Sequence, residues 1–152
     1  MRILAVDPGA KHLGIALSDP TGTLARPLGV INHISRMEDG RRITALAAEH
    51  QAELILVGQS LDEEGIPTLE GRRAARLASV IRSLTDIPVL LWDESFSTST
   101  ARQARIAQGA SKKKRRGHLD DAAAAIILQS YLDSLADQVA QSDHQGRNDG
   151  AT

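Results

Sequence analysis

Apolar and polar positions along the chain switch between two periods. Residues 2–7 form a short apolar run ending at an acid, and Pro8-Gly9 follows as a turn signal. Residues 13–18 repeat the pattern, and Asp19 to Thr23 supply a second polar turn before a third apolar run at 24–31. Three such runs joined by two turns predict an antiparallel meander. The period then changes. Ile43, Leu46, Ala47 and His50 recur at helical spacing, so 36–51 reads as a helix. Residues 53–58 read as a fourth strand ending near a Gly-bounded loop. An amphipathic helix follows at 67–84, with Ala74, Leu77, Ala78, Ile81 and Leu84 on one face. Residues 88–92 read as a fifth strand, 97–108 as a helix, 109–117 as a basic loop and 119–135 as a last apolar-faced helix.

A meander followed by alternating helix and strand predicts an α/β fold: a mixed five-stranded sheet flanked by helices. The chain has 152 residues, which fits one domain over 1–136. Beyond Asp137 the composition turns to Gln, Ser, Asp, Gly and Asn, which predicts a disordered tail over 137–152.

Cysteine is absent, which excludes disulfides, thiolate metal sites and a cysteine nucleophile. No apolar run is long enough for a membrane span, and the amino-terminal run is broken by an acid too early for a signal peptide. These features predict a cytoplasmic protein without a membrane partner. The net charge of −1 conceals a local asymmetry: Ser97 to Gly117 holds seven basic residues and no acid. Lys112, Lys113, Lys114, Arg115 and Arg116 form an uninterrupted run. Such a run is commonly a solvated face; just ahead of an acidic helix start it is a candidate phosphate-binding segment.

The acids change the picture most. Asp7 closes the first predicted strand, Asp93 and Glu94 follow the fifth, and Asp120 and Asp121 open the last helix. Carboxyl ends of parallel strands share one sheet edge, where sites collect. Carboxylates gathered there without Cys or His favour a hard, oxygen-liking cation such as Mg²⁺ or Mn²⁺. Each acid also has an ordinary explanation. Asp7 is a turn former before Pro8-Gly9, Asp120 or Asp121 a helix cap or first-turn acid, and Glu94 a cap or an Arg partner. Helical geometry does not choose between Asp120, aligned with Ala124, Ile127 and Tyr131, and Asp121, aligned with Ala125, Leu128 and Leu132.

The stretch from Asp7 to Asp19 (Asp-Pro-Gly-Ala-Lys-His-Leu-Gly-Ile-Ala-Leu-Ser-Asp) resembles the opening of the YqgF-type family. Leu54 to Gly58 with Gly65, Trp92 to Thr98, and Asp120 to Leu132 resemble three further family stretches in the same order, so the likeness spans about residues 1–135. Members are described as pre-16S rRNA nucleases and as Holliday junction resolvases with an RNase H-like fold. The resemblance implies a metal-dependent nuclease whose catalytic, metal-holding acids are Asp7, Glu94 and Asp120. Asp120 rather than Asp121 matches the family spacing. Two positions depart from the family: Ser95 stands where an Arg is usual, and Gly58-Gln59-Ser60 stands where Gly-x-Pro is frequent.

On this reading, Asp7, Glu94 and Asp120 hold one or two Mg²⁺ (or Mn²⁺) ions around the scissile phosphate, and water is the nucleophile. Gly9, Gly14 and Gly58 serve backbone turns and close approaches. Lys11, between the first two strands, and Lys112 to Arg116 are candidate nucleic-acid contacts. Aromatic residues number only three, Trp92, Phe96 and Tyr131, which argues against base stacking and for recognition of backbone and shape in structured RNA. Trp92 and Tyr131 are expected in the core, and His118 on a solvent-facing loop. Expected partners are precursor rRNA or branched DNA, with the chain a monomer or weak homodimer. Competing readings are a junction resolvase, a nucleic-acid-binding factor that has lost catalysis, and an actin-like kinase lobe. A single domain is too short to form the two-lobed cleft of the last.

Overall fold

The computed structural model describes residues 1–95 and 112–149, the side chains of 112–121 and 143–149 lying outside that description. The strands are β1 (Ile3–Pro8), β2 (His12–Ser18), β3 (Ala25–Asn32), β4 (Leu54–Gln59) and β5 (Val89–Asp93). The helices are α1 (Arg36–Glu49), α2 (Leu69–Leu84) and α3 (Lys112–Asp149). The sheet order is β3-β2-β1-β4-β5. Pairs β1–β2 and β2–β3 are antiparallel, and β1–β4 and β4–β5 are parallel. This is the predicted mixed five-stranded sheet, and its strands and first two helices fall within two residues of the bounds read from the apolar pattern.

Both faces of the sheet are covered, so the central strands are apolar throughout. One face packs Leu4, Val6, Leu13, Ile15, Ile55 and Val57 against α1 and α2. The other packs Ile3, Ala5, Ala16 and Leu56 against Ala124, Ile127, Leu128 and Leu132 of α3. Trp92 and Tyr131 belong to this second core, with ring centroids 5.1 Å apart in an edge-to-face contact. Trp92 Nε1 also donates to Ser130 Oγ at 2.9 Å. At the opposite side of the sheet, Gln129 Oε1 accepts from Ala25 N at 2.9 Å and Gln129 Nε2 donates to the Thr23 carbonyl at 3.0 Å. Helix α3 is thus pinned to both β5 and the β2–β3 turn.

The predicted helix at 97–108 lies outside the described residues. Helix α3 corrects the expected basic loop: Lys112 to Gly117 and His118 have helical backbone. Lys and Arg are good helix formers, but with no apolar residue among them they carry no periodic signal. The helix also continues through Asp149, past the point where composition predicts a disordered tail. Extending an existing helix costs far less than starting one, and no proline interrupts this segment. Residues 136–142 are exposed, so this stretch has no packed face.

A buried carboxylate organises the joint between β3 and α1. Asp39 is 2% exposed and accepts from Ile34 N at 3.0 Å, with Arg42 Nη2 at 2.9 Å and His33 Nδ1 at 2.5 Å. Burial alone would raise this carboxyl, but the three donors prevail and hold it below its ordinary value. Its contribution is full above the unfolded value near 3.8 and is lost as pH falls through the lower folded value. Asp39→Ala leaves an arginine, a histidine and a backbone N–H without their partner. We expect a loss of about 3 kcal/mol in urea unfolding at pH 7, shrinking below about pH 4. A variant as stable as the parent would refute this role.

Candidate active site

Side chains along a strand alternate between faces, and this places the site. On β1, Leu4 and Val6 face α1 and α2, whereas Ile3 and Ala5 face α3. Asp7 continues the α3 face. Its antiparallel neighbour is Gly14, whose missing side chain leaves room beside the carboxyl. On β4 the same face carries Leu56 and then Gly58, paired with Trp92. The ladder extends one step further, because Glu94 N donates to the Gln59 carbonyl at 3.0 Å. Glu94 therefore projects on the same side as Trp92, at the carboxyl edge of three parallel strands.

The result is a close carboxyl pair. Glu94 is half-buried and its side chain is hydrogen-bonded to Asp7. Burial, then the bond to Asp7 and its charge, then the charges of Glu70 and Asp93 push the Glu94 carboxyl up to about 8. Gly58 gives this arrangement room. A Cβ there would lie 3.0 Å from Glu94 Oε1 and 3.0 Å from Ile127 Cδ1. Gly9 is required for another reason: it closes the β1–β2 turn by donating to the His12 carbonyl at 2.9 Å, and a Cβ would sit 2.4 Å from that oxygen.

Of the remaining expected site residues, Lys11 is exposed at the hairpin tip and its carbonyl accepts from His33 N at 2.9 Å. The backbone of Asp120 lies in α3, about two turns before Ile127 and on its stripe. The side chains of Asp120 and of Lys112 to Arg116 lie outside the description. Among the described residues no group of three metal-ligating side chains forms; Asp7 and Glu94 make two. Two hard oxygen donors forced together suit a divalent cation, which offsets their repulsion and reverses the upward shift of Glu94.

Around 95 and 58–60 the local bonds run through backbone atoms and the Gln59 side chain, and none uses the side chains of Ser95 or Ser60. Asp93 Oδ1 accepts from Ser95 N at 2.9 Å, which makes Asp93 a turn residue. The Ser60 carbonyl accepts from Thr68 N at 3.1 Å and Thr68 Oγ1 at 3.2 Å, and Gln59 Nε2 donates to the Gly71 carbonyl at 3.1 Å. These bonds dock the start of α2 beside β4 and bring Glu70 within electrostatic reach of Glu94. Glu70 was not among the acids singled out in the sequence, because its nearness depends on that docking.

Residues 1–134 match the family described as RuvX, Holliday junction resolvase. A relative in Desulforamulus reducens is 38% identical over 136 residues, covering 90% of this chain and 99% of its own length. One in Geobacillus kaustophilus is 40% identical over 136 residues, covering 88% and 99%. Both bear the name "Putative pre-16S rRNA nuclease". Among solved structures, Thermus thermophilus RuvC in complex with a Holliday junction aligns with TM-score 0.57 at 18% identity, over 90% of this chain and 96% of its own. Fowlpox virus resolvase with junction DNA aligns with TM-score 0.53 at 14% identity, over 89% and 99%. These two likenesses show a shared RNase H-like fold.

The carboxyl pair makes a prediction independent of activity. Because Glu94 is raised above its unfolded value near 4.5, the folded metal-free chain keeps a proton that the unfolded chain has lost. Stability therefore falls as pH rises from about 4.5 to about 8. With EDTA present, wild type is expected to lose about 1–3 kcal/mol between pH 5.5 and 8.5, and Glu94→Gln much less. Parallel stability profiles for the two proteins would show that the carboxyls do not interact.

Proposed function

The chain belongs to the RuvX family, and we propose that it is a metal-dependent endonuclease that hydrolyses phosphodiester bonds in precursor 16S ribosomal RNA. The observation that carries this reading is the Asp7–Glu94 carboxyl pair at the carboxyl edge of the parallel strands. The substrate follows from the name shared by the two relatives. Branched DNA is the second substrate, favoured by the family's description.

In this proposal Asp7, Glu94 and Asp120 hold Mg²⁺ or Mn²⁺. When bound, the cation lowers the pKa of water and draws charge from the phosphate oxygens. The protein's own residues do the rest. Asp7 is fixed by the β1–β2 ladder opposite Gly14, so its carboxyl is oriented before substrate arrives. Glu94 shares a proton with Asp7 in the metal-free chain and would carry both oxygens as ligands once that proton is lost. Gly9 keeps the hairpin turn tight, which lets a phosphate backbone come close to Asp7. Lys11 at the turn and Lys112 to Arg116 at the start of α3 contact flanking phosphates. No protein nucleophile takes part.

Labelled precursor rRNA and a synthetic four-way DNA junction, each incubated with Mg²⁺, Mn²⁺ or EDTA, test the reading. Wild type is expected to cut one of them only with metal, and Asp7→Asn to lose at least about 100-fold in rate while keeping its fold. The preferred substrate assigns the role. A fully active, metal-dependent Asp7→Asn protein removes Asp7 from the site. Binding without cutting under every metal condition makes the chain a non-catalytic nucleic-acid factor, with Ser95→Arg the first reversion to make. Metal binding has its own readout: near pH 7, Mn²⁺ should release a proton and raise the melting temperature in wild type, and do neither in Asp7→Asn.

A further inference from the structure

On the side of the sheet away from the carboxyl pair, the same hairpin tip walls a cleft of about 570 Å³. We infer that this cleft binds a phosphate of the nucleic-acid strand next to the one that is cut, an assignment that rests on the nuclease reading above. Pro8, Leu13 and Leu77 give the cleft an apolar lining, and His33, Arg36 and Arg73 bring nitrogen donors to it. Arg36 opens α1, Arg73 lies in the second turn of α2, and His33 comes from the link between β3 and α1. Three separate elements thus aim cationic or donor groups at one space.

The charge balance favours an anion. Both arginines are exposed, and among the described residues neither has a carboxylate partner. Asp39 also lines the cleft, but its oxygens are taken up by Ile34 N, His33 and Arg42. A guanidinium is planar, always charged and suited to two phosphate oxygens at once. The apolar lining suits the sugar. No Phe, Tyr or Trp lines the cleft, so its donors suit the phosphate backbone better than a row of stacked bases.

Continuity with the carboxyl pair identifies the ligand as a polymer. Pro8, which walls the cleft, directly follows Asp7, so the cleft and the carboxyl pair lie on the two sides of one hairpin tip. The acids beside Glu94 (Asp7, Glu70 and Asp93) concentrate negative charge at that edge, so a polyanion there gains from positive charge beside it. A strand draped over the hairpin tip is held by the arginines on one side while its neighbouring phosphate meets the carboxyls on the other.

The test uses the full chain and labelled precursor rRNA or four-way junction, with affinity measured by anisotropy across salt concentrations. Arg36→Ala/Arg73→Ala is expected to weaken binding about tenfold at 150 mM salt and to reduce the log–log salt slope by about 1.5. The Michaelis constant should rise, with kcat at saturating substrate within about twofold of the parent. Arg36→Lys/Arg73→Lys should keep the salt slope and lose part of the affinity. Arg41→Ala, on the same helix but paired with Glu38, should behave as the parent. Normal affinity and slope in the double alanine variant would overturn the cleft while leaving the nuclease reading intact. Arginine-dependent binding without cleavage under any metal would uphold the cleft and overturn the nuclease reading. A chain that binds neither nucleic acid would overturn both.

Discussion

The register of the parallel ladder β1–β4–β5 governs the functional edge. Because side chains alternate along a strand, a slip of one residue on any of the three would turn its edge group to the other face. In the observed register Asp7, Gly58 and Glu94 share the face covered by α3. That register is fixed by burial on both sides, since Val6 and Val57 pack toward α1 and α2 while Ala5 and Leu56 pack toward α3. A slip of β1 would turn Asp7 toward the α1–α2 side, whereas β4 carries no charged residue and is held in register by its ladders with β1 and β5.

The ladder therefore forces together groups that oppose one another. Glu94 is pressed against Asp7 with Glu70 and Asp93 nearby, a concentration of acids that no packing requirement explains. The surroundings accommodate it instead of relieving it: Gly14 and Gly58 leave space, and the Gln59 carbonyl holds Glu94 by its backbone. Asp39 shows the contrast. It too is buried, yet three donors hold it ionised. Asp39 is held ionised by donors within the protein, whereas Glu94 is pushed up beside Asp7, a pattern that clusters at centres that work on a ligand.

Elements whose burial writes a period into the chain were legible in the sequence. The five strands, α1, α2 and the apolar face of α3 followed from such runs, and Trp92 and Tyr131 lie in the core as read. The ends of α3 were not legible, because Lys112 to Gly117 and the exposed 136–142 segment pack no apolar face. Asp7 and Glu94 were legible as acids at strand ends, but only the register shows that they share a side. The choice of Asp120 over Asp121 rested on family resemblance, since both stripes are apolar and Ala124 and Leu128 are equally buried. The cleft was illegible for a different reason: His33, Arg36 and Arg73 have no spacing in common and meet only when α1 and α2 pack side by side. One local signal for the start of α1 was present, Ser35 followed by Glu38, whose backbone N–H donates to Ser35 Oγ at 3.1 Å.

The division between the two faces bears on how one fold serves different nucleic acids. A carboxyl pair that works on a phosphodiester is indifferent to the bases and nearly so to the sugar, so RNA and branched DNA present it with the same chemistry. Thermus RuvC and this chain share a fold at 18% identity, and a shared fold does not transfer a substrate. Selectivity must then arise where a strand is held rather than where it is cut. In this chain the described candidates for holding are Lys11 on the tip and Arg36 and Arg73 in the cleft, on elements outside the parallel ladder. Those positions can change without disturbing the register that sets the carboxyls. The carboxyl edge is constrained by two cores at once, whereas the arginines at its flank are exposed, and under the proposed function that difference would leave substrate choice free to vary while the chemistry stays fixed.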